Sequence, residues 1–412
     1  MTTGNRVAIL RQKFAASIGL PFAEILSESE IEHALKNCGV TYRKRLFCPI
    51  VTLWAWLSQV LDPDKSCKKA VSRVISYLVA AGQTPPSTDT GAYCKARARL
   101  TEKFLLGLMR LTGKHSHEQS EPERLWCGRR VKVFDGSSMT MADTTKNQQK
   151  YPQPTSQAKG CGFPAGRIVC GFSLSTGAVV DAVISSLAVG EVNLFRQLFV
   201  HLQVGDVALG DRIFGTFADI CLLFARGVDS AFRVHGARKT DFTLGKRLAR
   251  WDHIVEWVKP KQCPKGLKRQ LKHLKTTMAM EHLPSKMPEM VRKDFYVHLL
   301  AYNLIRTMQL EASRQHCVDP LALSFCAVIQ HLSSFTCLLA HATLEQRTYQ
   351  YEQLIYLVST EKLPFRPNRV EPRVVKRRPK KYPRLSLPRE QLRGKCQNRT
   401  IDPKTRKASP TY

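Results

Sequence analysis

The patterning of this chain predicts an α/β fold: a mixed sheet flanked by helices, behind an all-α N-terminal region and ahead of further helices and a basic tail. Three observations carry that prediction. Apolar residues recur at helical spacing up to about residue 112, after which the period shortens to that of strands. From residue 124 the elements run strand, strand, strand, helix, strand, helix, strand, which suits a mixed α/β sheet better than a bundle or a sandwich. From Leu363 onward prolines and cations replace apolar periodicity.

In order along the chain, Ser27-Glu28-Ser29-Glu30 is a capping box ahead of Ile31 to Leu35, and Gly39 is the stop. The run Phe47 to Leu61 is apolar enough for a buried helix. Ala70, Val71, Val74, Ile75, Leu78 and Val79 mark another helix, and Pro85-Pro86-Ser87 interrupts the chain after it. Thr101 caps a helix carrying Leu105, Leu108 and Met109. Between the last two lies Lys95-Ala96-Arg97-Ala98-Arg99, readable as a solvated helix face or as a DNA-contacting helix. His115 to Glu123 reads as a polar linker, with His115 and His117 solvated.

Arg130 to Phe134 is the first strand, ending in Asp135-Gly136. Arg167 to Leu174 is the second, and Thr176-Gly177 turns the chain into the third, Ala178 to Val183. Glu191 to Leu202 is a helix, Asp206 to Gly210 a strand ending in Asp211, Thr216 to Phe224 a helix and Ser230 to Val234 a strand. A strand-like piece at Ile254 to Val258 sits in a basic stretch, and Gln262 to Arg269 is irregular. Helical patterns return at Leu271 to Met280, Val291 to Ala312, Leu321 to Thr343 (apolar and buried) and Glu345 to Leu357. The expected domains are therefore 1–123, helical and a candidate for DNA binding; 124–345, the α/β domain; and 346–412, a helix and an extended basic tail.

Composition narrows the function. The 412 residues hold 64 Lys and Arg against 33 Asp and Glu, a net charge of +31. Such a surplus opposes compaction and calls for a polyanion. The tail, 361–412, holds 17 Lys and Arg against four acids, a net of +13, with Lys376, Arg377, Arg378, Lys380 and Lys381 at its centre. The longest apolar runs are too short or too interrupted to span a bilayer, and MTTGNRVAIL lacks a signal peptide's apolar core, so a cytoplasmic protein is expected. The 13 cysteines are odd in number and contain no C-x-x-C, which argues against a disulfide framework or zinc finger and for free, mostly buried thiols. RNA binding by charge alone ranks last, because the aromatic strand motifs of common RNA modules are missing.

Two carboxylates stand out by position. If the first and fourth strands are neighbours, Asp135 and Asp211 meet at one sheet end. Paired carboxylates can hold divalent metals roughly 4 Å apart, the arrangement that metal-assisted phosphoryl transfer needs. Gly136 would let a phosphate backbone approach, and Gly210 would leave room beside Asp211. By spacing alone, ordinary strand-end aspartates are the better reading.

The surrounding residues tip that balance. Val133-Phe134-Asp135-Gly136-Ser137-Ser138, Ala142-Asp143-Thr144, Tyr151-Pro152-Gln153-Pro154, Gly160-Cys161-Gly162-Phe163-Pro164 and Gly205 to Phe214 form one series. The series closely resembles the catalytic domain of DDE transposases of bacterial insertion sequences, the branch with a Y-R-E-K signature. Phe232-Arg233-Val234-His235, Lys275-Thr276-Thr277-Met278 and His298 to Arg306 fit later parts of the same family, and the likeness spans roughly residues 30 to 345. It implies a ribonuclease-H-like core with Asp135 and Asp211 as the first two catalytic acids and ligands of Mg²⁺ or Mn²⁺. It further implies DNA contacts at Lys275 and Arg212, duplex transposon ends and target DNA as partners, a possible homodimer in a synaptic complex, and a place in the bacterial cytoplasm near the nucleoid. Such enzymes cut by water attack, and the freed 3′ hydroxyl then attacks target DNA.

The third acid departs from the pattern. The family helix reads Tyr, two residues, Arg, three residues, Glu, six residues, Lys. Counting back from Lys275 finds Lys268 in place of Glu, Pro264 in place of Arg and Lys261 in place of Tyr. The β insertion expected between the second and third acids is abbreviated, around residues 236–270. We read this as an in-frame loss that took the catalytic Glu. Neither Glu256 nor Glu281 is in register to replace it. Two functions stay open: a metal-dependent transposase impaired in catalysis, or an inactive DNA-binding remnant or inhibitor of a full-length relative by mixed assembly.

Overall fold

The computed structural model describes residues 3–23, 25–43, 45–234, 246–249, 252–254, 282–363, 387–388 and 391–392. Six helices come first: α1 (Thr3–Ala16), α2 (Glu28–Asn37), α3 (Pro49–Leu61), α4 (Cys67–Ala80), α5 (Gly91–Arg99) and α6 (Glu102–Glu118). Their ends follow the sequence signals. Ser27 Oγ accepts from the Glu30 N–H at 3.2 Å, Gly39 beyond the end of α2 has φ +65°, and Thr101 Oγ1 accepts from the Phe104 N–H at 3.2 Å. Every residue of α3 is buried, which makes it the axis of this region, with α1, α4 and α5 packed around it.

The α/β part holds β1 (Val131–Met141), α7 (Thr145–Lys150), β2 (Ala165–Ser173), β3 (Val179–Ser186), α8 (Glu191–Gln197), β4 (Val207–Gly210), α9 (Phe217–Phe224) and β5 (Asp229–Phe232). The strands lie in the order β3-β2-β1-β4-β5. β1, β2 and β3 form an antiparallel meander, whereas β1, β4 and β5 run parallel. This is the mixed sheet expected of a ribonuclease-H-like core. A hairpin of β6 (Lys246–Ala249) and β7 (Asp252–Ile254) follows, and β8 (His282–Leu283) pairs in parallel with the far end of β1. The chain continues in α10 (Pro288–His316), α11 (Phe325–His341) and α12 (Leu344–Thr360).

Strand alternation gives the sheet two apolar faces. Val133, Ile168, Cys170 and Phe172 belong to the larger core, shared with α3, α6 and α10. Phe134 and Val169 face the other way, onto Leu194 and Phe195 of α8 and Phe214. Phe195 is the hub there, its ring centroid 4.9 Å from that of Phe134 and 4.8 Å from that of Phe214. On the first face α10 is pinned by its Asn303: Oδ1 accepts from the Val179 N–H at 2.8 Å, and Nδ2 donates to the Val179 carbonyl at 2.9 Å.

Several expectations are corrected. β1 does not stop at Phe134; it runs through Gly136-Ser137-Ser138 to Met141, because that stretch pairs with β2 as far as Thr140↔Ala165. Tertiary pairing overrides a turn-like composition. The expected linker at His115 is the last turn of α6, and His117 is buried with Nδ1 2.8 Å from Ser173 Oγ. The helix expected over Glu191 to Leu202 breaks into α8 and a 3₁₀ turn, Leu198–His201. α11 starts at Phe325 and is buried on one side alone, with Leu338 53% exposed. Of the described cysteines, Cys48 and Cys170 are buried and the others are half-buried or exposed. Among the described residues no helix is long and apolar enough to cross a membrane. The expectations for 255–281 (Glu256, the helix from Leu271, Lys275 and Glu281 included), most of the shortened insertion, and tail residues Lys376, Arg377, Arg378, Lys380 and Lys381 lie outside the described residues.

Candidate functional site

The parallel ladder between β1 and β4 pairs Val131 with Val207 and ends by pairing Phe134 with Gly210. The next residue on each strand is Asp135 and Asp211. The two carboxylate-bearing positions therefore stand side by side where β4 ends, although Asp135 is mid-strand in the longer β1. Asp135 is 5% exposed, and its Oδ1 accepts from the Gly136 N–H at 2.8 Å. Asp211 is half-buried, with Oδ1 accepting from the Arg212 N–H at 2.7 Å. Each side chain is thus turned back onto the amide that follows it. Behind Asp135 across the β1–β2 ladder is Cys170. Burial pushes the Cys170 thiol well above its ordinary range, and the carboxylates of Asp135 and Asp181 push it the same way.

The glycines beside these acids have a different use from the one expected. A Cβ on Gly136 would come within 2.9 Å of the Glu191 carboxyl, and one on Gly210 within 3.1–3.2 Å of the Phe214 and Phe232 rings. The room is taken by protein side chains. Glu191, in the first turn of α8, was not singled out from the sequence, and nothing but its place at a helix start could have marked it. It sits 3.6 Å from Arg167 Nε in an ion pair. Successive strand residues face opposite sides. Glu191 lies against Gly136, on the α8 face, while Asp135 points to the face of Val133 and Cys170. Among the described residues no three His, Cys, Asp or Glu side chains come together as a metal-binding group. Two adjacent carboxylates still fit Mg²⁺ or Mn²⁺ in kind, because hard ions of this class are commonly held by one or two carboxylates with substrate phosphates filling the remaining positions.

A cleft of about 480 Å³ opens at the same end of the sheet, lined by Gly210, Gly215, Ser230, Phe232 and Arg233. Arg212, half-buried, follows Asp211 directly. At the opposite end of the sheet Lys132 Nζ is paired with Asp206 at 2.5 Å; on edge strand β3, level with Phe134, Asp181 is paired with Arg110 Nε at 2.8 Å. The basic motif on α5 divides. Arg97 is buried, with its guanidinium 2.6 Å from Asp294 and 4.1 Å from the Trp56 ring centroid, so it is a packing element and not a DNA contact. Lys95 and Arg99 are exposed.

Comparison with known proteins agrees with the motifs. No family model matches the chain. Over 413 residues it is 23% identical to transposase InsG for insertion sequence element IS4 of Escherichia coli (strain K12), covering 87% of this chain and 92% of that protein. A solved structure, the piggyBac transposase synaptic complex with hairpin DNA, aligns with 86% of this chain and 88% of its own at a TM-score of 0.43 and 9% identity. The resemblance to insertion-sequence transposases is borne out.

Proposed function

We propose that this chain is an insertion-sequence transposase by descent, built for metal-dependent cleavage and strand transfer at transposon ends, and impaired in catalysis by loss of its third carboxylate. What supports the reading most is the pairing of Phe134 with Gly210, which sets Asp135 beside Asp211 within a sequence similar to a transposase.

In this reading Asp135 and Asp211 hold Mg²⁺ or Mn²⁺, which when bound polarises a phosphodiester and makes water a better nucleophile. The Gly136 and Arg212 amides fix one oxygen of each carboxylate. Arg212 and Lys275 contact DNA. The tail cations, among them Lys376, Arg377, Arg378, Lys380 and Lys381, neutralise phosphates without reading sequence. The helical region 1–123 contributes further DNA contact, and duplex DNA and a second copy of the chain are the partners. The weak point is the register of Lys268. A cation where the family has Glu repels a metal that the missing acid would have held. That observation also favours the second reading, a DNA-binding remnant that retards a full-length relative by mixed assembly.

Manganese binding followed by water-proton relaxation tests the two-acid site. The full chain should enhance relaxation weakly, and Asp135→Asn or Asp211→Asn should each abolish the enhancement. Enhancement that survives both substitutions would remove the metal from these residues.

A further inference from the structure

The part of the basic α5 motif that the interior does not use lines a second concave site. Arg97 and Arg99 are two residues apart and so point about 200° from one another around the helix. Arg97 is spent on Asp294, and Arg99 faces a cleft of about 420 Å³ between α5 and the α2–α3 loop. The loop adds Arg43 and Arg45 to the same cleft. All three arginines are exposed, and none makes a hydrogen bond or ion pair among the described residues. Other arginines of the helical region are satisfied by acids: Arg11 by Glu28 and Glu32, Arg73 by Asp62. No carboxylate lines the cleft among the described residues. Three guanidiniums without an acid partner around one hollow offer forked donors that match the oxygens of a phosphate.

The walls say what accompanies the phosphate. Tyr42 and Phe47 line the cleft. The Tyr42 hydroxyl donates to Glu32 Oε1 at 2.8 Å, which anchors the ring while leaving the residue 40% exposed; burial and that carboxylate push the hydroxyl up to about 12. Phe47 is held against Tyr93, with ring centroids 5.4 Å apart. Paired duplex needs only a flat basic surface. A hollow of ligand size with an aromatic wall suits a nucleotide turned out of the stack.

We infer that this cleft binds one unpaired nucleotide of a DNA strand, its phosphate held by Arg43, Arg45 and Arg99 and its base laid on Tyr42. The inference rests on the DNA-acting reading above and names a site within it. Fluorescence anisotropy of the full chain should compare a fully paired duplex, the same duplex with one unpaired thymine, and the RNA version of the bulged duplex. The bulged DNA should bind about fivefold or more tighter than the paired one. Tyr42→Ala, and separately Arg45→Gln with Arg99→Gln, should erase that preference while thermal melting stays unchanged. Equal affinity of the intact chain for both DNAs, or a preference that survives both sets of substitutions, would overturn the site and leave DNA binding standing. A preference as strong on RNA would overturn it in favour of RNA. Failure to bind any of the three would defeat the DNA-acting reading itself.

Discussion

Arg97 carries a full charge to a position 8% exposed, between Asp294 and the face of Trp56. Asp294 is buried as well. Desolvation raises its pKa, and Arg97 and the Ser285 hydroxyl oppose that rise. Removing one partner of such a pair strands the other, at a cost of about 3–5 kcal/mol. Arg97→Ala should therefore lower stability by that order in urea titrations; a change within experimental error would mean that the pair is not maintained in solution. Two buried imidazoles make a second prediction. Burial, with Lys132 second, brings His117 down to about 4, and burial, with Lys65 second, brings His298 down to about 3. The unfolded chain takes up these protons near pH 6.5, so below that pH it binds more protons than the fold. Stability contributed by neutral His117 and His298 is present above pH 6.5 and is lost as pH falls towards 4. At about pH 5.5 the loss is roughly 1–2 kcal/mol per histidine, and His117→Gln should reduce the slope of stability between pH 7 and 5.5. An unaltered slope would show that His117 titrates normally. Neither residue's role was legible in the sequence. Arg97 and Arg99 belong to one basic run, and which of them turns inward depends on what packs against α5. His117 looks polar and terminal, yet Ser173, 56 residues on, covers it.

At the scale of elements, α6 lies so close to the sheet that a Cβ on Gly113 would sit 2.0 Å from the Val179 carbonyl oxygen. Asn303 of α10 bonds the same Val179 at both its N–H and its carbonyl. Helix, strand and helix thus meet at one backbone position. Gly113→Ala raises helix propensity, yet the clash is with backbone that cannot turn away, and overpacking of this kind costs about 1–3 kcal/mol. The variant should melt lower than the parent, and a higher melting temperature would show that α6 can move off β3. Element identity was largely readable from the sequence. Caps at Ser27 and Thr101, the break at Pro85-Pro86 and the strands bearing Val133, Val169, Val179 and Leu209 all announce themselves through local chemistry. Element length was not. β1 continues over Gly136-Ser137-Ser138 because β2 is there to pair with it, which no local preference encodes.

Across the whole molecule, the site depends on a register between strands far apart in sequence. The sequence supplies Asp135 and Asp211; the parallel pairing of β1 with β4 makes them neighbours. The resemblance to transposases was legible because short words around both acids are distinctive, and the match to an insertion-sequence transposase over 87% of the chain agrees with it. The proposed loss of the third acid rests on a separate stretch: with Lys275 taken as the family's last Lys, Lys268 falls where that pattern has Glu. The purposes assigned to Gly136 and Gly210 were misread because a glycine in sequence says that space is needed and not what fills it. Charge and catalysis separate at this scale. A net +31 favours polyanion binding whether or not a third acid exists, whereas cleavage requires the full set of ligands. The most direct measurement is strand cleavage by the purified chain on duplex carrying its cognate ends, with Mn²⁺, beside its Asp135→Ala variant. The account predicts that both proteins bind the duplex, that the parent chain cuts it at most inefficiently, and that Asp135→Ala does not cut it above background. Efficient cutting by the parent chain that Asp135→Ala abolishes would contradict it.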